Sequence, residues 1–547
     1  MTPHRRSAFA LFKHHSVHNL TVRRYVTVLA TTAIFGLTWR AEAQSSPQFA
    51  SPMLPADHWA VDAARRAAVL GLAPAAFGWG DGSLTQAAVG SALWLASERA
   101  KAKVGAPLVS AIAEEWRRFA YEFPAVAARL PKTIVVSGGE NVPAARRTGL
   151  PISASMTARF VSADGRLLPV RSIDRTRENV EPPRPLADLE DGEIDLRFGG
   201  LLGRHAAAEV SGGRSDAEWQ LGDWHTLASA GPVGAWIGER TPDYGPGAGG
   251  GLIFDGRSAF TGGGLALLNP IRLPWLFRHL GYVRGEAFLS RLDSNATTSR
   301  PWMFGGRVSF APHPRLLLGA TEAFMFAGEG QPPFTFRNFK EMFLTHGIKV
   351  AGREFENGIA SVEARWRPPI PALPTVLYAE WGTDDNHSAW FEFPAVVAGV
   401  SFPSMPFLQP LSLGVERTSF AAPCSSCNGC ACEYYATWYR HYVFMDGWTL
   451  DRQPIGHPLG GDGTEWLLYG RYDDAARRSR IDGRVFARER GRYNLFAPSR
   501  EGRSVGGRLA ANYRLAPAVE VQVTGEVEQG ARDWTASSVS VGVRWVP

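Results

Sequence analysis

At 547 residues the chain has material for a small domain and a large one. Most of its formal net charge of +6 sits in residues 1–43, where six basic side chains face only Glu42, so the remainder is close to neutral. Nucleic-acid binding therefore gains no support from charge, and no later run of about twenty apolar residues offers an α-helical membrane span.

Residues 1–43 predict a secretory signal peptide. Basic residues end at Arg23-Arg24, an apolar run extends from Tyr25 to Leu37, and Ala41-Glu42-Ala43 supplies a small-residue cleavage site. The thirteen-residue run is too short to span a membrane comfortably. A Ser/Pro-rich spacer follows, and then helical periodicity. Asp57 is the expected cap of a helix that places Trp59, Ala63, Ala67 and Leu70 on one face and stops at Gly71. Thr85 begins a second, Ala-rich helix, and Pro107 opens a third with a Leu108, Ile112, Phe119 and Phe123 stripe; Pro124 and Pro131 are expected to close the unit. Residues 44–130 thus predict a small helical periplasmic domain, and 131–149 a linker.

From 150 to 547 the period changes to two. Ile152, Ala154, Met156, Ala158 and Phe160 alternate with Ser153, Ser155, Thr157 and Arg159. The same alternation recurs at 188–200, 360–366 and 481–488, where Phe486 breaks the polar face. It is clearest in the last forty-five residues. There Val505, Leu509, Tyr513, Val521, Val523, Val541 and Trp545 occupy one face, and Arg508, Arg514, Glu520, Glu526 and Arg544 the other. Strands of about ten residues, apolar outward and polar inward, fit a transmembrane barrel. A soluble antiparallel sheet with one wet face is the alternative. Roughly 400 residues leave room for about eighteen antiparallel strands, an even number as bacterial barrels require. The expected fold is an all-β transmembrane barrel with a helical periplasmic domain, in contact with outer-membrane lipid.

The four cysteines, Cys424, Cys427, Cys430 and Cys432, lie in one long loop. In an exported chain such a group reads as two disulfides, with a metal site or free thiols as the alternatives. The Tyr244-Gly-Pro-Gly and Gly249-Gly-Gly run lacks a phosphate-loop context and reads as a turn or barrel-rim loop. No nucleophile elbow, zinc-protease helix or Ser/His/Asp set stands out, so no catalytic residue, metal or cofactor is assigned. The 439–463 stretch interleaves aromatics with Arg, His and Asp. Such surfaces suit sugars, whose C–H faces stack on rings while charged forks take hydroxyls and carboxylates. Tyr439, Trp448, Arg452, His457 and Asp462 are the expected polysaccharide contacts, with an aromatic girdle at the membrane interface as the competing reading.

Two resemblances bear on function. The first two helices resemble a single S-layer homology motif through His58-Trp59-Ala60, Gly71-Leu72 and Gly82-Ser83-Leu84-Thr85, though Gln86 and Ala88 replace that family's polar pair. With that pair missing, the region reads as a helical periplasmic domain that packs or docks; peptidoglycan, as the resemblance implies, and periplasmic export machinery are the alternative partners. Across the whole chain, Trp236-Ile-Gly-Glu-Arg240 leading to Tyr244-Gly-Pro-Gly247, then Arg337–Phe343, Tyr378–Asp385 and the 439–463 stretch resemble the capsule-assembly Wzi family of outer-membrane barrels. That resemblance implies an eighteen-stranded barrel in the bacterial outer membrane, with periplasmic helices and no catalysis, holding capsular polysaccharide at the cell surface. A diffusion porin and an outer-membrane enzyme are the other classes weighed.

Overall fold

A strand with one oily face and one polar face leaves unpaired edges unless the sheet closes on itself. In the computed structural model it closes. The structure describes residues 42–43, 49–54, 58–73, 84–103, 106–130, 152–164, 189–215, 218–256, 258–292, 298–345, 348–370, 372–384, 394–420, 438–441, 443–450, 453–474, 478–496, 499–531 and 533–547. The expected linker and all four cysteines lie outside them. Of the expected leader only Glu42–Ala43 is described, paired to Ile271–Arg272.

The barrel strands are β1 (Ile152–Asp164), β2 (Leu189–Leu201), β3 (Ala206–Ser215), β4 (Glu218–Ala230), β5 (Val233–Arg240) and β6 (Phe260–Leu267). Then come β7 (Tyr282–Arg291), β8 (Trp302–His313), β9 (Leu316–Phe326), β10 (Glu356–Trp366), β11 (Val376–Asp384) and β12 (Ala395–Phe402). The last six are β13 (Leu411–Phe420), β14 (Gly463–Asp474), β15 (Ser479–Arg490), β16 (Gly502–Ala516), β17 (Val519–Gly530) and β18 (Thr535–Trp545). Sequence neighbours pair antiparallel throughout. β18 pairs with β1, Trp545 opposite Met156, which joins the two ends of the ring at eighteen strands.

Exposure decides between a membrane barrel and a soluble sheet. Val505 is 61% exposed and Val541 46%, so the oily face packs on no protein core. Lipid is the solvent that rewards it. The opposite face pairs charges across strands, with Arg508 opposite Glu526 and Arg514 opposite Glu520. Phe486, the residue that breaks the polar pattern, does point inward; it is buried beneath the Arg488 guanidinium, 3.8 Å from its ring centre.

Among the described residues four helices precede the barrel: α1 (Trp59–Val69), α2 (Gln86–Lys103), α3 (Ala106–Glu122) and α4 (Pro124–Arg129). None is long and apolar enough to cross a membrane. The cap of α1 is His58, whose Nδ1 accepts the Ala60 amide at 3.2 Å; Asp57 lies outside the described residues. Gly71 follows the helix end at φ +74°, the left-handed position glycine favours. Pro124 does not close the unit as expected: it opens α4, since a proline at the first helical position gives up no needed amide.

A fifth helix, α5 (Phe336–Thr345), lies outside the barrel. Phe304 and Phe324 are cross-strand partners on the outward face, and Phe324 is nevertheless fully buried. The loop folds back over the wall and sets Phe343 edge-on against both rings, at 4.7 and 5.2 Å.

Candidate functional site

Among the described residues, two loops enter the lumen and the helices cover one mouth. The first loop, 241–259 between β5 and β6, is the Gly-rich run expected at the rim. It is instead threaded to mid-barrel, with Tyr244, Leu252, Ile253 and Phe254 buried. Glycine permits this because backbone must pass close to the wall. The Glu416 carboxylate of β13 accepts the Ala248 and Gly249 amides at 2.7 and 3.0 Å, and Glu380 of β11 accepts Leu252 at 3.1 Å. Arg365 of β10 donates to the Gly245 carbonyl at 2.6 Å, and the Tyr244 hydroxyl donates to Glu286. Burial and the Glu286 carboxylate hold that phenol well above its ordinary pKa, so it stays a donor.

The second loop, 438–462, locks the first. Trp448 donates its indole N–H to the Ile253 carbonyl at 3.0 Å, and the Tyr439 hydroxyl donates to the Leu252 carbonyl while accepting the His457 amide at 2.9 Å. Burial raises the Tyr439 pKa well above normal, so this link does not titrate near neutrality. Tyr439 is itself fixed by its amide to Asp384 at 2.6 Å.

Glu416, His457 and Glu465 form the one described group with metal-like grouping, their ligand atoms all within 4.8 Å of one another and every residue buried. The hydrogen bonds account for it otherwise. His457 Nδ1 accepts the Leu459 amide at 3.2 Å, so Nε2 carries the proton and faces Thr418 Oγ1 at 3.2 Å. Glu416 is taken by the loop amides and Glu465 by Arg488. A Cβ on Gly249 would fall about 3 Å from all three side chains: the loop backbone occupies the space between them. The three residues clasp the plug.

At the opposite mouth the helices dock through ion pairs. Asp62 of α1 takes Arg471 and Arg480 at 3.0 and 2.9 Å; Arg66 reaches Asp473 at 2.6 Å, and Glu114 of α3 takes Arg514 at 2.6 Å. Glu122 receives Arg544, the Trp59 indole at 2.9 Å and His58 at 3.1 Å. Of the residues resembling an S-layer motif, His58 and Trp59 hold the Glu122 carboxylate that receives Arg544. Arg471 and Arg480 pull the Asp62 carboxyl down to about 2 against its burial, and Arg544 and His58 hold Glu122 well below the usual carboxylate range. Arg65 crosses to Asp243 of the plug at 2.9 Å, tying cap and plug together. Between them remains a chamber of about 1460 Å³, lined by fifteen arginines and fifteen carboxylates.

The family model for capsule assembly protein Wzi matches residues 231–537. The chain belongs to the Wzi capsule-assembly family. Its fold is that of Escherichia coli Wzi, described as an outer membrane protein involved in group 1 capsule assembly and a carbohydrate-binding β-barrel. The TM-score is 0.65 at 15% identity, covering 90% of this chain and 98% of that one. Pseudomonas aeruginosa OpdQ is a looser match, with TM-score 0.41 and 10% identity over 72% of this chain and 97% of that one. No curated protein matches. As a Wzi-family barrel with an exposed oily belt, the chain resides in the outer membrane.

Of the five expected sugar contacts, Tyr439, Trp448 and His457 are fully buried and hold the plug together rather than facing solvent. Arg452 lies outside the described residues. Asp462 is buried as well, at the loop end of β14. Its Oδ2 accepts the Tyr493 amide at 3.1 Å, and burial raises its pKa against the pull of Arg440 and Arg492. Arg492 is exposed and stacks on Tyr493 at 4.5 Å. Sequence reading missed Arg440, Arg492 and Tyr493, and missed the inward Glu380, Glu416 and Glu465. The glutamates were findable from strand alternation; the loop residues carry no period.

Proposed function

We propose that this protein is a non-enzymatic outer-membrane lectin that holds capsular or exopolysaccharide at the cell surface, with its helical cap facing the periplasm. The observation that carries the reading is the lumen crossed by the chain's own loops, which gives the barrel a fixed outer face although a chamber remains between plug and cap. Likeness to a carbohydrate-binding Wzi barrel supports the same reading. At the loop end the exposed Arg492 and the partly exposed Arg440 supply guanidinium forks for hydroxyls or uronate carboxylates, with the buried Asp462 and Tyr493 shaping the loop behind them. The test is deletion of the gene, with cell-bound and released polysaccharide measured separately. Polysaccharide shifting into the medium, and returning to cells on complementation, is expected; unchanged retention refutes the reading.

The porin reading draws on the charged chamber alone. Its lining is balanced in sign and many of its arginines are paired to carboxylates, which favours closure over conduction. Large, steady single-channel conductance in a planar bilayer would revive it.

A further inference from the structure

The connection between β6 and β7 emerges at the helical end of the barrel. Tyr282, which begins β7, pairs with Ala311 near the β8–β9 turn. That turn in turn meets Arg367, whose guanidinium donates to the Val69 carbonyl at the end of α1. Most turns at this end are short, but this one adds a short 3₁₀ helix, Trp275–Leu280, that has no buried residue. Trp275 is 86% exposed and Leu276 78%, with Phe277 beside them about half exposed. Isolated exposed apolar residues are ordinary, but a contiguous Trp-Leu-Phe patch marks an interaction surface.

Its charge says what it meets. Residues 271–281 contain Arg272, Arg278 and His279 and no carboxylate. Arg278 and His279 are exposed, and among the described residues their side chains make no hydrogen bond or ion pair. At this end the lipid-facing wall also carries outward aromatics, Trp366 and Trp545, both close to half exposed. Apolar rings beside unpaired cations, level with the end of a membrane wall, match the boundary between acyl chains and phosphates.

We propose that the Trp275–His279 turn is an interfacial foot that binds the headgroup of an acidic phospholipid: Trp275, Leu276 and Phe277 enter the acyl boundary, while Arg272 and Arg278 take the phosphate oxygens. The foot fixes how deep, and at what tilt, the helical end sits in the bilayer. It does not depend on the polysaccharide reading, because it lies at the other mouth.

The test reconstitutes the full-length protein in nanodiscs of phosphatidylcholine doped with either brominated phosphatidylglycerol or brominated phosphatidylcholine. Trp275→Phe is read alongside, and the difference in quenched fluorescence isolates the Trp275 contribution. Stronger quenching by the brominated acidic lipid is expected. Arg272→Gln and Arg278→Gln should each lower that preference roughly fivefold, the effect of one basic side chain at an anionic surface. Strand circular dichroism confirms that each variant retains its barrel. Equal quenching by the two lipids overturns the proposal, as does a Trp275 signal reached by aqueous acrylamide and by neither lipid. A detergent-resistant dimer abolished by Trp275→Ala would give the patch to a second copy of the chain and overturn it equally.

Discussion

Replacing Asp62 by Asn tests whether ion pairing, rather than apolar burial, holds the helical cap on the barrel. Asp62 accepts two guanidinium groups from the barrel wall, and its carboxyl is held at about 2 against an ordinary value of 3.8. At 1.36 kcal/mol per pKa unit that difference corresponds to about 2.5 kcal/mol of docking free energy near neutral pH. The side chain is 27% exposed, so solvent screening trims the figure, and the range to expect is ~1.5–2.5 kcal/mol. Hydrogen exchange of the α1 amides, followed by mass spectrometry in detergent, should therefore be roughly 10- to 60-fold faster in Asp62→Asn at pH 7, with barrel amides unchanged. Because the folded pKa lies below the unfolded one, the contribution is complete above about pH 4 and fades as pH falls through about 2. Wild type and variant should converge over that window. His58 and Glu122 also titrate in the cap, but both are present in each protein and cancel in the difference. Equal α1 protection at pH 7, or a difference that persists at pH 2, would refute the ion-pair account.

A Cβ on Gly251 would fall 1.7 Å from the Tyr244 carbonyl oxygen, so Gly251→Ala should displace the plug loop and turn a quiet planar-bilayer trace into measurable conductance. Trp448→Ala removes a fully buried indole and its bond to Ile253, and should cost about 3–5 kcal/mol, read as a lowered thermal transition of loop 438–462 in detergent. Arg492→Gln should weaken binding of uronate-containing polysaccharide in a pull-down by roughly tenfold, as loss of a charge-assisted pair predicts, while leaving the thermal transition in place. Tyr439→Phe leaves the buried His457 amide without its acceptor and should cost about 1–3 kcal/mol by the same thermal measure.

What was legible followed from period. Val539, Val541, Val543 and Trp545 against Ser538, Ser540 and Arg544 announce a two-faced strand, and closure to eighteen follows because a two-faced sheet in lipid has no tolerable edge. The first three helices were equally readable, whereas the His58 cap, the helix opened by Pro124 and the outer helix α5 were not. The plug was not, because loops have no period and a lumen-facing loop uses the same residue types as a sugar-facing one. Tyr439, Trp448 and His457 carry both an apolar body and a polar handle, which serves inside a barrel as well as on a lectin surface. Only partners distant in sequence, such as Leu252 for Tyr439 and Ile253 for Trp448, separate the two cases.

The docking partners of the cap carry a consequence for assembly. Arg471, Asp473, Arg480, Arg514, Glu520 and Arg544 all belong to the last five strands, whereas α1 and α3 are translated before any strand. Apart from Asp243, which pairs with Arg65, the counter-charges of the cap thus come from β14 to β18. The cap can complete its ion pairs only when the C-terminal end of the wall stands in place.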